Sequence, residues 1–200
     1  MTKKDFATAV EERRSIYVIN NEAIVSDERI QEIVEHAVKH TPSSFNSQTA
    51  RAVVLLGEQH SKLWSITTET LRQVVPANDF SPTEEKMNMF GAGYGTVLFF
   101  EDQSIVKGLQ EKFPSYADNF PIWSLQSSGM VQYVVWTALE QEGFGASLQH
   151  YNPLIDDEVK SEWNIPLDWK LLAEMPFGKP IVAAGEKQFS PVEDRVKVFK

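Results

Sequence analysis

Apolar side chains recur at helical spacing along much of the chain. Ile30, Ile33, Val34, Ala37 and Val38 form one stripe, with Ser26 placed to cap it and Thr41-Pro42 to stop it. Residues 3–14 read as an earlier helix with Phe6, Ala9, Val10 and Arg13 on one side, and residues 58–75 as a later one facing inward through Leu63, Trp64, Thr67 and Leu71. Ser81-Pro82-Thr83-Glu84 combines a cap, a proline for the first turn and a glutamate three residues on, so another helix starts there. Asp102 can cap a helix running through Lys112, and residues 156–163 form a short one, its Asp156-Asp157 pair suiting the N-terminal end of the dipole. Residues 51–56, 96–100 and 169–176 are β-branched and aliphatic runs that predict strands. Residues 146–151 are extended in character, and residues 196–199 predict a last strand. From about Pro121 to Glu142 the pattern changes. Leu125, Gly129, Val131, Gln132, Val135, Trp136 and Leu139 spread round the cylinder, which predicts a long, central, buried helix. Helices outnumber strands, and the strands lie far apart in sequence, so the layout is α+β with no regular βαβ alternation.

Composition narrows the function. The chain has 200 residues, a net charge of −9, 42% hydrophobic and 24% charged residues, which fits one globular domain over residues 1–200. With no cysteine, it can have no disulfide, thiolate metal site, iron–sulfur cluster or cysteine nucleophile. Residues 1–15 lack the apolar core of a secretory signal, and the longest apolar run, residues 96–100, cannot cross a bilayer. The expectation is a soluble, cytoplasmic protein with no membrane partner. The acidic balance argues against nucleic acid.

The standard motifs are missing. Gly91-Ala92-Gly93-Tyr94-Gly95 leads into a strand, the wrong context for a dinucleotide turn, and there is no phosphate loop, His-Glu-x-x-His or Gly-x-Ser-x-Gly. His36 and His40 have a metal-capable spacing but no evident third ligand, so no metal is expected.

Three less standard clusters remain. Arg13-Arg14-Ser15-Ile16-Tyr17 offers two planar guanidiniums and hydroxyls, a set suited to phosphate. Pro42-Ser43-Ser44-Phe45-Asn46-Ser47-Gln48 packs hydroxyls and amides that both donate and accept, as a ring with mixed carbonyl and N–H edges requires. Gly143-Phe144-Gly145-Ala146-Ser147-Leu148-Gln149-His150-Tyr151-Asn152-Pro153 lets the backbone approach a flat ligand.

In this order and spacing the clusters resemble the nitroreductase family. Its members open with an Arg-Arg-Ser-x-Arg-like segment, continue with a Pro-Ser-x-x-Asn-x-Gln-Pro-like loop and a later Gly-x-Gly loop, and carry a basic residue in the tail, here Lys187 or Arg195. The segments from Phe120-Pro121-Ile122-Trp123 and Leu148-Gln149-His150-Tyr151-Asn152-Pro153 resemble its fatty-acid-repression-type subgroup. Two positions depart from better-known members and fit the subgroup: Tyr17 stands for a basic residue, and Thr49 for the proline after Gln48.

The resemblance implies a three-layer α/β/α fold with a mainly antiparallel central sheet. It also implies an intertwined homodimer with FMN at the interface, which would bury the long apolar helix. The implied activity is hydride transfer from NADH or NADPH to a nitroaromatic, quinone or similar planar acceptor, in ping-pong order. FMN carries the chemistry, so no catalytic side chain is nominated. Arg13, Arg14, Ser15, Tyr17, Ser43, Ser44, Asn46, Gln48, Ser147, Leu148, Gln149, Lys187 and Arg195 are the implied cofactor contacts. The Gly145–Leu148 backbone would offer N–H groups to one edge of the ring. Phe113, Tyr116, Phe120 and Trp123 are candidates for a lid over the acceptor, and His150 for either a contact or a core imidazole. A flavin-binding regulatory or storage protein with little turnover is the alternative, and a helical interaction module without cofactor a third reading.

Overall fold

A computed structural model describes residues 4–200. Residue 3, where the first helix is predicted to begin, lies outside the described residues. In chain order the elements are α1 (Phe6–Glu12), β1 (Ile19–Asn20), α2 (Asp27–His40), β2 (Ala50–Leu56), α3 (Gly57–Val74) and α4 (Ser81–Gly91). There follow β3 (Gly95–Asp102), α5 (Gln103–Lys112), α6 (Asn119–Glu142), β4 (Gly145–Ala146), α7 (Asp156–Glu162) and β5 (Trp169–Pro180). The strands form one antiparallel sheet in the order β1-β5-β3-β2, with β4 also on β5. No helix among the described residues is long and apolar enough to cross a membrane.

Strand alternation builds two cores, one on each face of the sheet. Val97 and Phe99 of β3 meet Ile30, Ile33, Val34 and Ala37 of α2 and Val131, Val135 and Leu139 of α6. Leu98 and Phe100 meet Leu63, Trp64 and Leu71 of α3, Met87 and Phe90 of α4 and Val159 of α7. This is the expected α/β/α sandwich. In β5 the register slips where Phe99 pairs with Ala173 but Phe100 with Leu171, leaving Leu172 as a bulge. Leu171 therefore joins one core and Ala173, Met175 and Phe177 the other. Gly178 stands where β5 passes from β3 to β1 and β4. A Cβ there would lie 2.4 Å from the Asn20 carbonyl oxygen, so only glycine fits.

Several local expectations change. Ser26 accepts from the Arg29 N–H and Asp102 from the Ser104 N–H, as predicted caps should. Helix α4 instead starts at Ser81 itself, because a preceding turn at Ala77–Asp79 already sets Phe80 in helical geometry and leaves no side-chain cap. Helix α1 is short, and Phe6 is 63% exposed. Residues 196–199 form no strand and lie exposed. Helix α6 buries one face but leaves Ile122, Leu125, Met130 and Tyr133 outward.

A buried polar chain pins α3 and the end of α4 to β3. The His60 Nε2 lies 3.2 Å from the Gly91 carbonyl, so that nitrogen carries the proton and Nδ1 accepts from the Thr96 hydroxyl at 2.9 Å. The Trp64 indole N–H donates in turn to the Thr96 oxygen at 3.0 Å. Burial holds His60 down to about 4, against the opposing carbonyls of Gly91 and Phe90. Burial likewise pushes Glu174 up to about 7, although the Tyr151 N–H donates to it.

These two groups tilt stability in opposite senses. His60, lowered from its ordinary value, contributes fully above about pH 6.5 and loses that contribution as pH falls towards 4. Glu174, raised, contributes fully below about pH 4.5 and loses it as pH rises through 7. Glu174→Gln should thus gain on the wild type by about 3 kcal/mol between pH 4.5 and 7. Urea unfolding at several pH values checks this, and a pH-independent difference between the two proteins would refute it.

Candidate functional site

The turn after α1 and the loop after α6 meet beside β5. Ser15 bridges in parallel to Ala146, and the Ile16 N–H donates to the Ala146 carbonyl at 3.0 Å. This contact brings the first and third sequence clusters together. Arg13, Arg14, Ser15, Tyr17 and Lys187 line a single cavity of about 430 Å³, closed on the other side by residues 182–185. The Arg14 guanidinium donates to the Gly185 carbonyl at 2.8 Å and anchors that tail segment over the cavity. Arg195 does not line the cavity; it follows the Val192–Asp194 turn further along the exposed tail.

The cations in this cavity are positioned without being neutralised. The Arg13 guanidinium stacks 4.3 Å over Trp136 and lies 5.9 Å from the Tyr133 ring, both on α6. Its Nε is buried without a hydrogen-bond partner among the described residues. Arg13, Arg14 and Lys187 enter no ion pair among the described residues. Three such donors around one cavity can bind a phosphate group, and they form a local basic spot in a chain of net charge −9.

The adjoining segment has strand character beyond β4. The Ser147 N–H donates to Pro176 and the Gln149 N–H to Glu174, at 3.2 and 2.7 Å. Alternation turns the Leu148 N–H the other way, where it makes no hydrogen bond among the described residues. Leu148 therefore offers a backbone donor directed away from β5. Ser147 and Gln149 are buried and bonded to each other, Gln149 Nε2 donating to Ser147 Oγ at 3.0 Å. They shape the segment from behind. His150 is exposed and is not a core imidazole.

The second cluster stands apart. Ser43 and Gln48 line a different cavity of about 650 Å³ between α2, β2 and α6, and it shares no residue with the first. The loop around Ser44–Asn46 is braced: Gln48 N–H donates to Ser43 Oγ at 2.9 Å, and Arg51 donates to the Gln48 carbonyl at 2.7 Å. Phe45, Asn46 and Gln48 have φ of 58°, 51° and 49°. Three left-handed, non-glycine residues in four positions cost about 1–3 kcal/mol each, and such strain concentrates at functional sites.

Phe45 is the functional candidate that sequence reading passed over. It projects from this polar loop, 53% exposed, into a nest of rings: Phe113 at 5.1 Å, Phe120 at 5.4 Å, Tyr116 at 6.1 Å and Trp123 at 6.2 Å. The predicted lid residues thus do gather, and they gather on the polar loop. A phenylalanine in an otherwise hydrogen-bonding turn was the available signal. His36 and His40, with rings 4.5 Å apart, belong to no group of three or more potential metal ligands among the described residues.

Known proteins share this fold. The nitroreductase FRM2 of Saccharomyces cerevisiae is 32% identical over 187 residues, covering 92% of this chain and 93% of its own. The solved nitroreductase CinD from Lactococcus lactis, in complex with chloramphenicol, is 45% identical with a TM-score of 0.90, over 98% of this chain and 100% of its own. A chain from Exiguobacterium sibiricum solved in complex with FMN shares the fold at 17% identity, with a TM-score of 0.73 over 100% and 99% of the two chains. Residues 10–179 match the nitroreductase family. By these matches, fold and clusters together, the chain belongs to the nitroreductase family and groups with its fatty-acid-repression-type members.

Proposed function

We propose that the protein is a cytoplasmic, FMN-dependent NAD(P)H oxidoreductase that reduces nitroaromatics, quinones or similar planar acceptors as a homodimer. One observation carries this reading. The residues suited to a flavin fall into two separate patches of one chain, a cationic cavity and a polar loop with an aromatic wall. Two copies are needed to make one site from them. The unpaired Arg13, Arg14 and Lys187 fit a phosphate monoester, and the outward Leu148 N–H fits a ring edge.

Arg13, Arg14, Ser15 and Lys187 would hold the phosphate and ribityl chain, with Tyr17 beside them. Leu148 would face the ring, supported by Ser147 and Gln149. Ser43, Ser44, Asn46 and Gln48 would come from the other copy. FMN held there would supply two-electron transfer between donor and acceptor. The rings around Phe45 offer faces on which planar molecules stack with little discrimination, which suits a broad acceptor range. Donor and acceptor would use that space in turn, giving ping-pong order.

The purified protein should show the absorbance of oxidised flavin, release FMN on denaturation, and oxidise NADH or NADPH only when an acceptor is present. A colourless protein that takes up no added FMN would overturn this function. FMN-loaded protein that turns over none of a panel of nitroaromatics and quinones would favour a flavin-binding role without catalysis.

A further inference from the structure

Thr49 takes the position where better-known relatives of the chain have proline, and its hydroxyl has a specific neighbour. Thr49 immediately precedes β2. Its carbonyl accepts from the Asp102 N–H at 2.9 Å, and Ala50 pairs across the sheet with Glu101. Glu101 is 0% and Thr49 1% exposed. One oxygen of the Glu101 carboxyl, Oε2, accepts from the Ser124 hydroxyl of α6. The other, Oε1, and the Thr49 hydroxyl are buried, each without a conventional hydrogen bond among the described residues. Two orphaned polar atoms at one junction complement each other if one supplies a proton.

Granted the flavin site proposed above, we infer that Glu101 is a positioning residue, tying Thr49 at the foot of the cofactor loop to Ser124 beneath the aromatic wall. Ser124 follows Trp123 directly and lies one turn after Phe120, and Thr49 follows Gln48 directly. One carboxyl group thus joins both ends of the space in which an acceptor stacks.

Both orphaned atoms are satisfied when the carboxyl carries a proton. Burial pushes Glu101 above the usual carboxylate range, outweighing the Ser124 and Thr49 hydroxyls and the more distant Arg51, while Asp102 adds to the rise. Arg51 is already committed to Asp102 at 3.0 Å, so it does not neutralise Glu101. A neutral acid donates once and accepts elsewhere: Oε1–H serves Thr49, and Oε2 accepts from Ser124. An amide can reproduce both bonds, whereas a leucine of similar volume reproduces neither and strands two buried hydroxyls.

The test has two parts. In the FMN-loaded enzyme, Glu101→Leu should raise the KM for a nitroaromatic acceptor about tenfold, with kcat and FMN content within twofold of wild type, and Glu101→Gln should restore it. Unchanged acceptor KM in Glu101→Leu, or no rescue by Glu101→Gln, would overturn the role in acceptor fit. Independently of activity, thermal unfolding of Glu101→Leu, Thr49→Val and the double variant forms a cycle. Each single change should lower the midpoint by about 2–4 °C, and the double variant should fall no further than Glu101→Leu alone. Additive losses would overturn the link itself, even if the enzyme turns over as proposed. A measured coupling in a protein that never binds FMN would uphold the link and sink the flavin reading instead.

Discussion

Arg13→Ala combined with Lys187→Ala should strip FMN from the purified protein while leaving the fold intact. Both side chains line the cavity of about 430 Å³ beside the Ser15–Ala146 bridge, and neither is paired with an acid among the described residues. A hydrogen bond to a charged group contributes about 1.5–3 kcal/mol net. Losing two removes about 3–6 kcal/mol, or about 10² to 10⁴ in affinity. The acidic net charge does little to offset this, because surface charges beyond about 10 Å are screened in ordinary salt. Arg13→Lys separates charge from shape. It keeps the cation but loses the flat group stacked on Trp136, so an intermediate loss is expected. Flavin absorbance per protein after gel filtration, with circular dichroism as the folding control, decides the matter. A folded double variant with full flavin occupancy would refute the phosphate assignment.

The second large effect concerns the outer face of α6. Ile122, Leu125, Gly129 and Tyr133 follow one another at three- and four-residue steps, with Met130 beside Gly129, so they form a stripe on one side of the helix. Ile122 and Leu125 are each 54% exposed, although α6 packs its other side against the sheet. A stripe so apolar at the surface fits an interface between copies. Leu125→Asp would cost one chain little, since Leu125 already meets solvent, but would bury two unpaired carboxylates between copies. The expected result is a halved mass by light scattering together with loss of most bound FMN, because each site would lose its second half. Leu167→Asp, at a position 86% exposed, is the control and should change neither. A dimeric Leu125→Asp protein, or a monomer that keeps its flavin, contradicts a shared site.

The layered fold was legible because its signals are local. The stripe of α2, the Asp102 cap and the β-branched run of β2 each depend on a few neighbouring residues. The candidate site residues stood out as three clusters. Their partition did not. No local pattern says that Ile16 will bond to Ala146, uniting two clusters, while the loop of Phe45 lies elsewhere. The role of Phe45 was hidden for a related reason. Its ring meets partners about 70 residues away, and its left-handed backbone is held by the Ser43 and Arg51 contacts on its own loop. The tail misled for a different reason. Residues 196–199 alternate like a strand but pair with no strand among the described residues, and a pairing pattern without a partner stays exposed.

Strand β5 shows how one inserted residue can hide in plain alternation. Trp169, Leu171, Ala173, Met175 and Phe177 read as a single apolar series on every second residue. The bulge at Leu172 makes the series change sides midway, its first members facing α3 and α7 and its last ones α2 and α6. Leu172 is thus a phase marker. Deleting it would make Leu171 and Ala173 consecutive, put them on opposite faces by plain alternation, and leave every address on the strand as it stands, Glu174 included.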